Sequence, residues 1–298
     1  MSVTVAVPTA RRPQALARLL DALPAALDGV PGADVLVVDN DANGSARDVV
    51  ADRARYLLEP TPGSAFARNR ALAEATTERI AYLDDDVVPQ AGWLAALLST
   101  PGVAAGGKVV LDPTVPRPAW FDEAGIGGYV TAFDLGGSAR ALTSSEYVVT
   151  ASAVFDTAAL SAVGGFDPQL GPRPGSQLVA DDVHVVRELQ RAGGEVWWQP
   201  GAVVVHDLPA ERLKPSWLLR RAYLQGRSDW LLDEELMRQR ALGGARVATS
   251  WLGTELGRRR REGLFRRTTA FHLATDVSRT LGAVGQGLRW LGDREPSR

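Results

Sequence analysis

The sequence predicts an α/β domain, with a mixed, mostly parallel sheet flanked by helices, followed by a helical C-terminal extension. Three observations carry this reading. Short apolar, β-branched runs alternate with helix-period segments through the first hundred residues. Two of those runs end in acids, and three consecutive carboxylates, Asp84, Asp85 and Asp86, follow one of them. No uninterrupted apolar stretch reaches the roughly 18 residues that a spanning helix needs.

The elements follow in order. Val3 to Val7 is a first strand, closed by Pro8-Thr9. From Pro13 a helix places Leu16, Leu19, Leu20 and Leu23 on one face. Val35 to Val38 is a second buried strand, ending at Asp39, and Asp48 to Leu58 gives a short helix and a strand. Ser64 to Ala75 reads as a helix after the turn Pro62-Gly63, Ile80 to Leu83 as a strand, and Ala91 to Leu98 as a helix. In such parallel sheets, ligands bind at the carboxyl ends of the strands, where Asp39 and the three aspartates fall. From Gly102 to Tyr147 the chain is rich in Gly, Pro and aromatics, which predicts irregular strands and loops. Val148 to Phe155 is another apolar run, and Gly164-Gly165-Phe166-Asp167-Pro168 signals a turn. Asp181-Asp182 open a helix to about Ala192, with acids at the positive end of its dipole. Glu195 to Trp198 and Ala202 to Val205 read as two short strands, the latter ending at His206. Everything beyond Leu213 reads as helical, and the domain boundaries are set at 1–232 and 233–298.

Composition narrows the function classes. With 298 residues and 45% hydrophobic content, the chain has material for one large core plus an appendage. A net charge of -2 supplies no global basic field for nucleic acid. The absence of cysteine excludes disulfides and Cys-based metal or redox centres. The first residues lack a basic, apolar leader pattern, so a cytoplasmic placement is expected. The aspartate triplet needs a compensating cation, because carboxylates so close repel. Mg2+ or Mn2+ with a polyphosphate meets that need, since hard cations take carboxylate and phosphate oxygens together. A solvated acidic turn is the alternative for an isolated triplet.

Several motifs in order carry a family resemblance. They are Val7-Pro8-Thr9, Val37-Val38-Asp39-Asn40, Pro62 to Arg70, Leu83-Asp84-Asp85-Asp86 with Gly92-Trp93-Leu94, Gly164 to Asp167, Asp181-Asp182, and Val205-His206. From residue 3 to about 230, the chain resembles a family 2 (inverting, GT-A fold) glycosyltransferase, a Rossmann-like nucleotide-diphospho-sugar transferase. It departs from the family where Ala180-Asp181-Asp182 replaces the common Gly-Glu-Asp, where His184 replaces a downstream acid, and where the helix arginine is displaced to Arg187.

The resemblance implies roles. The donor, a UDP-sugar first and a GDP- or dTDP-sugar behind it, would meet Pro8, Thr9, Asp39, Arg68, Asp84 and Asp85. Asp39 would read the base, and Gln225 and Arg227 would form a lid over the diphosphate. Asp86 would hold Mn2+ or Mg2+ in this DXD-type motif, with His206 completing the metal shell. Asp182, with Asp181 as the second candidate, would be the base that deprotonates the acceptor hydroxyl. Trp120, Phe121 and Tyr129 are the candidate acceptor contacts, with core packing as their alternative. The implied reaction moves a sugar to a hydroxyl of a glycan, a lipid-linked intermediate or a natural product. A catalytically silent, glycosyltransferase-like scaffold subunit is one alternative. A nucleotidyltransferase is another, but it calls for a Gly-rich loop where Pro8-Thr9-Ala10-Arg11-Arg12 stands.

In the tail, Arg258 to Arg261 and Arg266-Arg267 form a basic cluster. Phe271, Ala274, Val277, Leu281, Val284, Leu288 and Leu291 then recur at helical spacing. This stripe reads first as a helix packing on the catalytic domain or on a second subunit in a homodimer. A helix lying on the membrane surface is the alternative.

Overall fold

The computed structural model describes residues 1–232 and 267–292. The chain divides into two compact units. The first comprises Met1–Asp112, Thr131–Gln177 and Asp181–Asp207, and the second Pro113–Val130, Leu178–Ala180 and Leu208–Arg298. The run Arg258 to Arg261 and Arg266 lie outside the described residues.

The first unit is built on a sheet of nine strands among the described residues. The strands are β1 (Val3–Thr9), β2 (Asp34–Asp39), β3 (Arg55–Leu58), β4 (Arg79–Leu83), β5 (Val87–Pro89), β6 (Ala104–Leu111), β7 (Arg140–Ala141), β8 (Ser152–Asp156) and β11 (Val196–His206). Two further short strands, β9 (Pro172–Arg173) and β10 (Ser176–Gln177), form a separate ribbon. The sheet order is β3-β2-β1-β4-β8-β6-β11-β5, with β7 pairing β11. β3, β2, β1 and β4 run parallel, as do β6 and β11. β8 is antiparallel to both β4 and β6.

The order places a topological switch between β1 and β4. The chain builds outward from β1 through β2 to β3, then returns to the other side of β1 as β4. Pairing of β1 with β4 ends at Ala6 and Tyr82, whereas pairing with β2 continues to Thr9 and Asp39. The two strands therefore part at their carboxyl ends and leave a crevice there. Pro8 fits this position because it lies beyond the last β4 pair, where its missing N–H interrupts no ladder on that side.

Strand alternation sorts the core onto the two faces of the sheet. Val3, Val5, Val7, Ala81 and Leu83 pack with α1 (Pro13–Ala26) and α4 (Trp93–Leu98). Ala6, Leu36, Val38, Ile80 and Tyr82 pack on the other face with α3 (Ser64–Glu74) and α7 (Asp181–Arg191). The short helices α2 (Arg47–Val50) and α6 (Thr157–Ala162) complete this unit. The second unit holds α5 (Glu123–Ile126), a 3-10 turn at Gly127–Val130, α8 (Pro215–Leu232) and α9 (Arg267–Gly292).

Three elements differ from the sequence reading. The segment from Gly102, expected to be irregular, contains the eight-residue strand β6 in the sheet interior. Its glycines admit close neighbours: a Cβ on Gly106 would lie 2.2 Å from the Val148 side chain, and one on Gly107 would lie 2.1 Å from the Ala202 carbonyl oxygen. The two strands expected on either side of Pro200-Gly201 are one strand, β11, with a register shift between Gln199 and Val203. β5 is only three residues long and had no signal of its own, because its pairing comes from β11.

The β6 packing gives a stability prediction. Gly107→Ala should lower the unfolding free energy by about 1–3 kcal/mol, since the clash is with backbone that cannot rotate away. Urea unfolding of the variant measures this, and a variant as stable as the parent would contradict the tight β6–β11 approach.

Candidate functional site at the β1–β4 crevice

The loops after β1 and β4 face each other across the crevice and bring together most of the expected donor residues. The Thr9 hydroxyl, at the end of β1, donates to Asp85 Oδ2 at 2.8 Å. Arg12, just before α1, donates from Nη1 to Asp85 Oδ1 and to Asp86 Oδ2, each at 2.9 Å. Asp86 Oδ1 lies 3.5 Å from His206 Nε2, and His206 is buried at the end of β11. The strand pairing β11–β5 fixes that meeting, since His206 stands opposite Val87, the residue after Asp86. Burial pushes the Asp85 carboxyl up to about 6, with the Asp86 charge adding to the rise and Arg12 opposing it.

Arg68 ties this edge to the start of α7. Its guanidinium, buried on α3, donates from Nη2 to Asp84 Oδ1 at 3.0 Å and from Nη1 to Asp181 Oδ2 at 2.6 Å. The guanidinium also lies 5.6 Å from the centre of the Phe166 ring. Asn69, the next residue, locks the turn that carries that ring: its Nδ2 donates to the Phe166 carbonyl at 2.7 Å, and the Phe166 N–H donates to its Oδ1 at 2.8 Å. Glycine is required at 165, where φ is +69° and a Cβ would lie 2.6 Å from Asn69 Oδ1. The motifs Arg68-Asn69 and Gly164 to Asp167 are thus two halves of one structure.

The bridge engages Asp181 and leaves Asp182 to the first turn of α7, where the Val183 N–H donates to its Oδ1 at 2.8 Å. The Asp182 carboxyl is pushed up to about 7. Burial is the main cause, the Asp181 charge adds to it, and Arg68 opposes both. Two adjacent carboxyls therefore differ in role: one is held by a guanidinium, the other sits in the pKa range of a proton acceptor.

The remaining expected residues are engaged with other partners. Asp39 is fully buried and accepts from the Asp41 N–H at 3.1 Å, the Ala46 N–H at 2.7 Å and the Tyr56 hydroxyl at 3.1 Å. It organises the loop between β2 and α2. Asn40 holds the loop that leads to α3, donating to the carbonyls of Glu59 and Thr61 and accepting from the Gly63 N–H. Trp120, Phe121, Tyr129, Gln225 and Arg227 all belong to the second unit. There Trp120 packs on Phe271 at 4.7 Å between ring centres. Tyr129 bonds to Arg279. Gln225 bonds to Arg221 and Asp229, and Arg227 to Gln286. Arg12, Asn40 and Asn69 had been given no role in the sequence reading, although each lies within or beside a string quoted there.

Asp86 and His206 fit a divalent cation. A carboxylate oxygen beside an imidazole nitrogen is a donor pair suited to Mn2+. Among the described residues no group of three or more His, Asp or Glu converges on one point. A cation here would rest on this pair and on oxygens that a phosphate ligand brings, as is usual for nucleotide-bound metals.

The Arg68 bridge predicts a charge-dependent stability loss. Arg68→Met should cost about 3–5 kcal/mol at neutral pH, because two carboxylates lose their buried counter-ion. Arg68→Met/Asp181→Asn should lose less than Arg68→Met alone, because one abandoned charge is removed with its partner. Urea denaturation of both variants measures it. Equal losses in the two would assign Arg68's contribution to packing on Phe166 instead of charge.

Comparison with known proteins places this architecture. Residues 4–101 match the family described as Glycosyl transferase family 2. The pre-mycofactocin glycosyltransferase of Mycobacterium tuberculosis is 32% identical over 283 residues, covering 86% of this chain. The chain spans 54% of that relative's length. The solved mannosyltransferase PcManGT from Pyrobaculum calidifontis, in complex with GDP-Man and Mn2+, superposes with a TM-score of 0.60 at 20% identity, covering 98% of this chain and 88% of that one. Staphylococcus aureus TarS 1-349, in complex with UDP-GlcNAc, superposes with a TM-score of 0.51 at 16% identity, covering 97% of this chain and 92% of that one. With the strand order, the switch-point carboxylates and these matches together, residues 4–101 match glycosyl transferase family 2, and the chain has the GT-A fold.

Proposed function

We propose that this chain transfers a sugar from a nucleoside diphosphate sugar, a UDP-sugar first, to an acceptor hydroxyl with inversion at the anomeric carbon, using a divalent cation. The observation that carries the reading is the continuous polar chain from Arg12 through Asp84–Asp86 and Arg68 to Asp181-Asp182, set at the topological switch. The fold neighbours solved with GDP-Man and Mn2+ or with UDP-GlcNAc support the donor class.

The residues divide the work. Asp86 and His206 would hold the cation, which when bound neutralises charge growing on the leaving diphosphate. Arg12 pairs with Asp85 and Asp86 and, half exposed, can turn its fork to a phosphate. Asp84, partly exposed and held by Arg68, faces the sugar or ribose. A carboxylate has about four lone-pair sites, and Asp39 has three donors on it, so one site on Oδ1 is left for a nucleobase N–H. Reaching it requires the β2–α2 loop to open, since Asp39 is fully buried. Gln225 and Arg227 are engaged within their own helix pair and are assigned no donor contact in this reading. Aromatic faces at Trp120 and Phe121 suit an acceptor of glycan, lipid-linked or natural-product type.

In the transfer step, the acceptor oxygen forms a bond to the anomeric carbon as the bond to the diphosphate oxygen breaks on the opposite face. The hydroxyl proton passes to Asp182, whose raised pKa suits a base working near neutrality. Asp181 positions the pair through Arg68.

Asp182→Asn should reduce transfer by about 100-fold or more, the low end of what a positioned base contributes. Nucleotide affinity, measured by calorimetry, should be unchanged. The wild-type rate should rise with pH through neutrality as Asp182 loses its proton. Substantial transfer by the Asn variant would remove Asp182 from the role. Absence of transfer by the parent, across nucleotide sugars and acceptors, would favour a silent scaffold.

A further inference from the structure

The second unit contains a helix pair packed in the reverse of the usual sense. In water, paired helices turn their apolar sides together and their charges outward. Here the side of α9 that meets α8 is polar and small. Ser278 donates to the Leu219 carbonyl at 2.7 Å, Arg279 pairs with Asp229 at 2.6 Å, and Gln286 accepts from Arg227 at 2.9 Å. Glycines bring the two backbones together: a Cβ on Gly226 would lie 1.7 Å from the Arg279 carbonyl oxygen, and one on Gly282 would lie 1.9 Å from that of Tyr223. Opposite this contact, Val277, Leu281 and Val284 stand 36%, 59% and 44% exposed. They follow at i, i+4 and i+7 and form one line. Among the described residues they are three of the five large hydrophobics that are exposed at all.

Small residues and polar pairs between helices, with aliphatic side chains outward, are the packing of helices whose surroundings are apolar. No described helix is long and apolar enough to cross a bilayer. The charge of this stretch of sequence selects the surface. From Arg258 onward the sequence has ten arginines (258–261, 266, 267, 279, 289, 294 and 298) against four acids (262, 276, 293 and 295), in a chain of net charge -2. Such a segment repels a second copy of itself and attracts anionic headgroups. We propose that the outward face of α9 lies in the plane of an anionic membrane surface, with Val277, Leu281 and Val284 entering the headgroup boundary and the flanking arginines meeting lipid phosphates. The surface would keep the enzyme beside lipid-borne material, whatever sugar it moves.

Flotation of the intact chain with phosphatidylcholine vesicles, with and without phosphatidylglycerol, tests this. The intact chain should float with the anionic vesicles only, and high salt should weaken the binding. The variant Val277→Ser/Leu281→Ser/Val284→Ser should bind about tenfold or more weaker, as expected when inserted aliphatic groups are lost. Its melting temperature and nucleotide binding should be retained, since these side chains are exposed. A second variant with Arg258–Arg261 changed to Gln should lose the preference for anionic vesicles. A chain that stays unbound with anionic vesicles would overturn the proposal, as would equal binding to neutral ones. So would light scattering that shows a dimer which the serine variant dissociates while vesicle binding is absent, and the face would then be a contact between copies. None of these readouts depends on sugar transfer, so failure here and failure of the proposed reaction are separable.

Discussion

The site depends on one buried arginine. Arg68 reaches Asp181, 113 residues away in sequence, and Asp84 at the end of β4, and so joins the β4 edge of the crevice to the start of α7. Without it, the buried Asp181 carboxylate and the partly exposed Asp84 would lose their shared counter-ion. The guanidinium holds both with fixed geometry, and its own position is fixed in turn by Phe166 and by the Asn69 lock on the 164–167 turn. Asymmetry follows from the same contact. Arg68 bonds to Asp181 and not to Asp182, whose pKa burial raises against the opposing charge of Arg68.

A second arginine performs the matching task on the other side. Arg12 spans Asp85 and Asp86 from the loop after β1 and offsets part of the charge of the acidic edge. The two arginines differ in accessibility. Arg68 is buried, whereas Arg12 is about half exposed, as the proposed turn of its fork toward a donor phosphate requires. The switch between β1 and β4 is what lets both loops reach the same place, because the strands separate beyond Ala6 and Tyr82.

Much of this was legible in the sequence, for physical reasons. Strands such as β1, β2 and β4 announce themselves through continuous apolar, β-branched runs, since parallel strands are buried on both faces. The acids at their ends were visible for the same reason. Elements defined by distant partners were not visible. β6 is written with two adjacent glycines because Val148 and Ala202 crowd it, and glycine in isolation reads as a loop. β11 runs through Pro200-Gly201 because a register shift absorbs them. The donors that saturate Asp39 belong to a loop whose closure cannot be read from spacing. In the tail the apolar stripe was plain, but only the three-dimensional arrangement shows Val277, Leu281 and Val284 on the outward face of α9.

The most direct test of the donor site is thermal shift with UDP, GDP, dTDP and CDP, each with and without Mn2+, on the wild type and on Asp86→Ala. The account predicts that one nucleotide raises the melting temperature only when Mn2+ is present, and that Asp86→Ala abolishes the rise. No response to any nucleotide under either condition would contradict a metal-dependent donor site at the β1–β4 crevice.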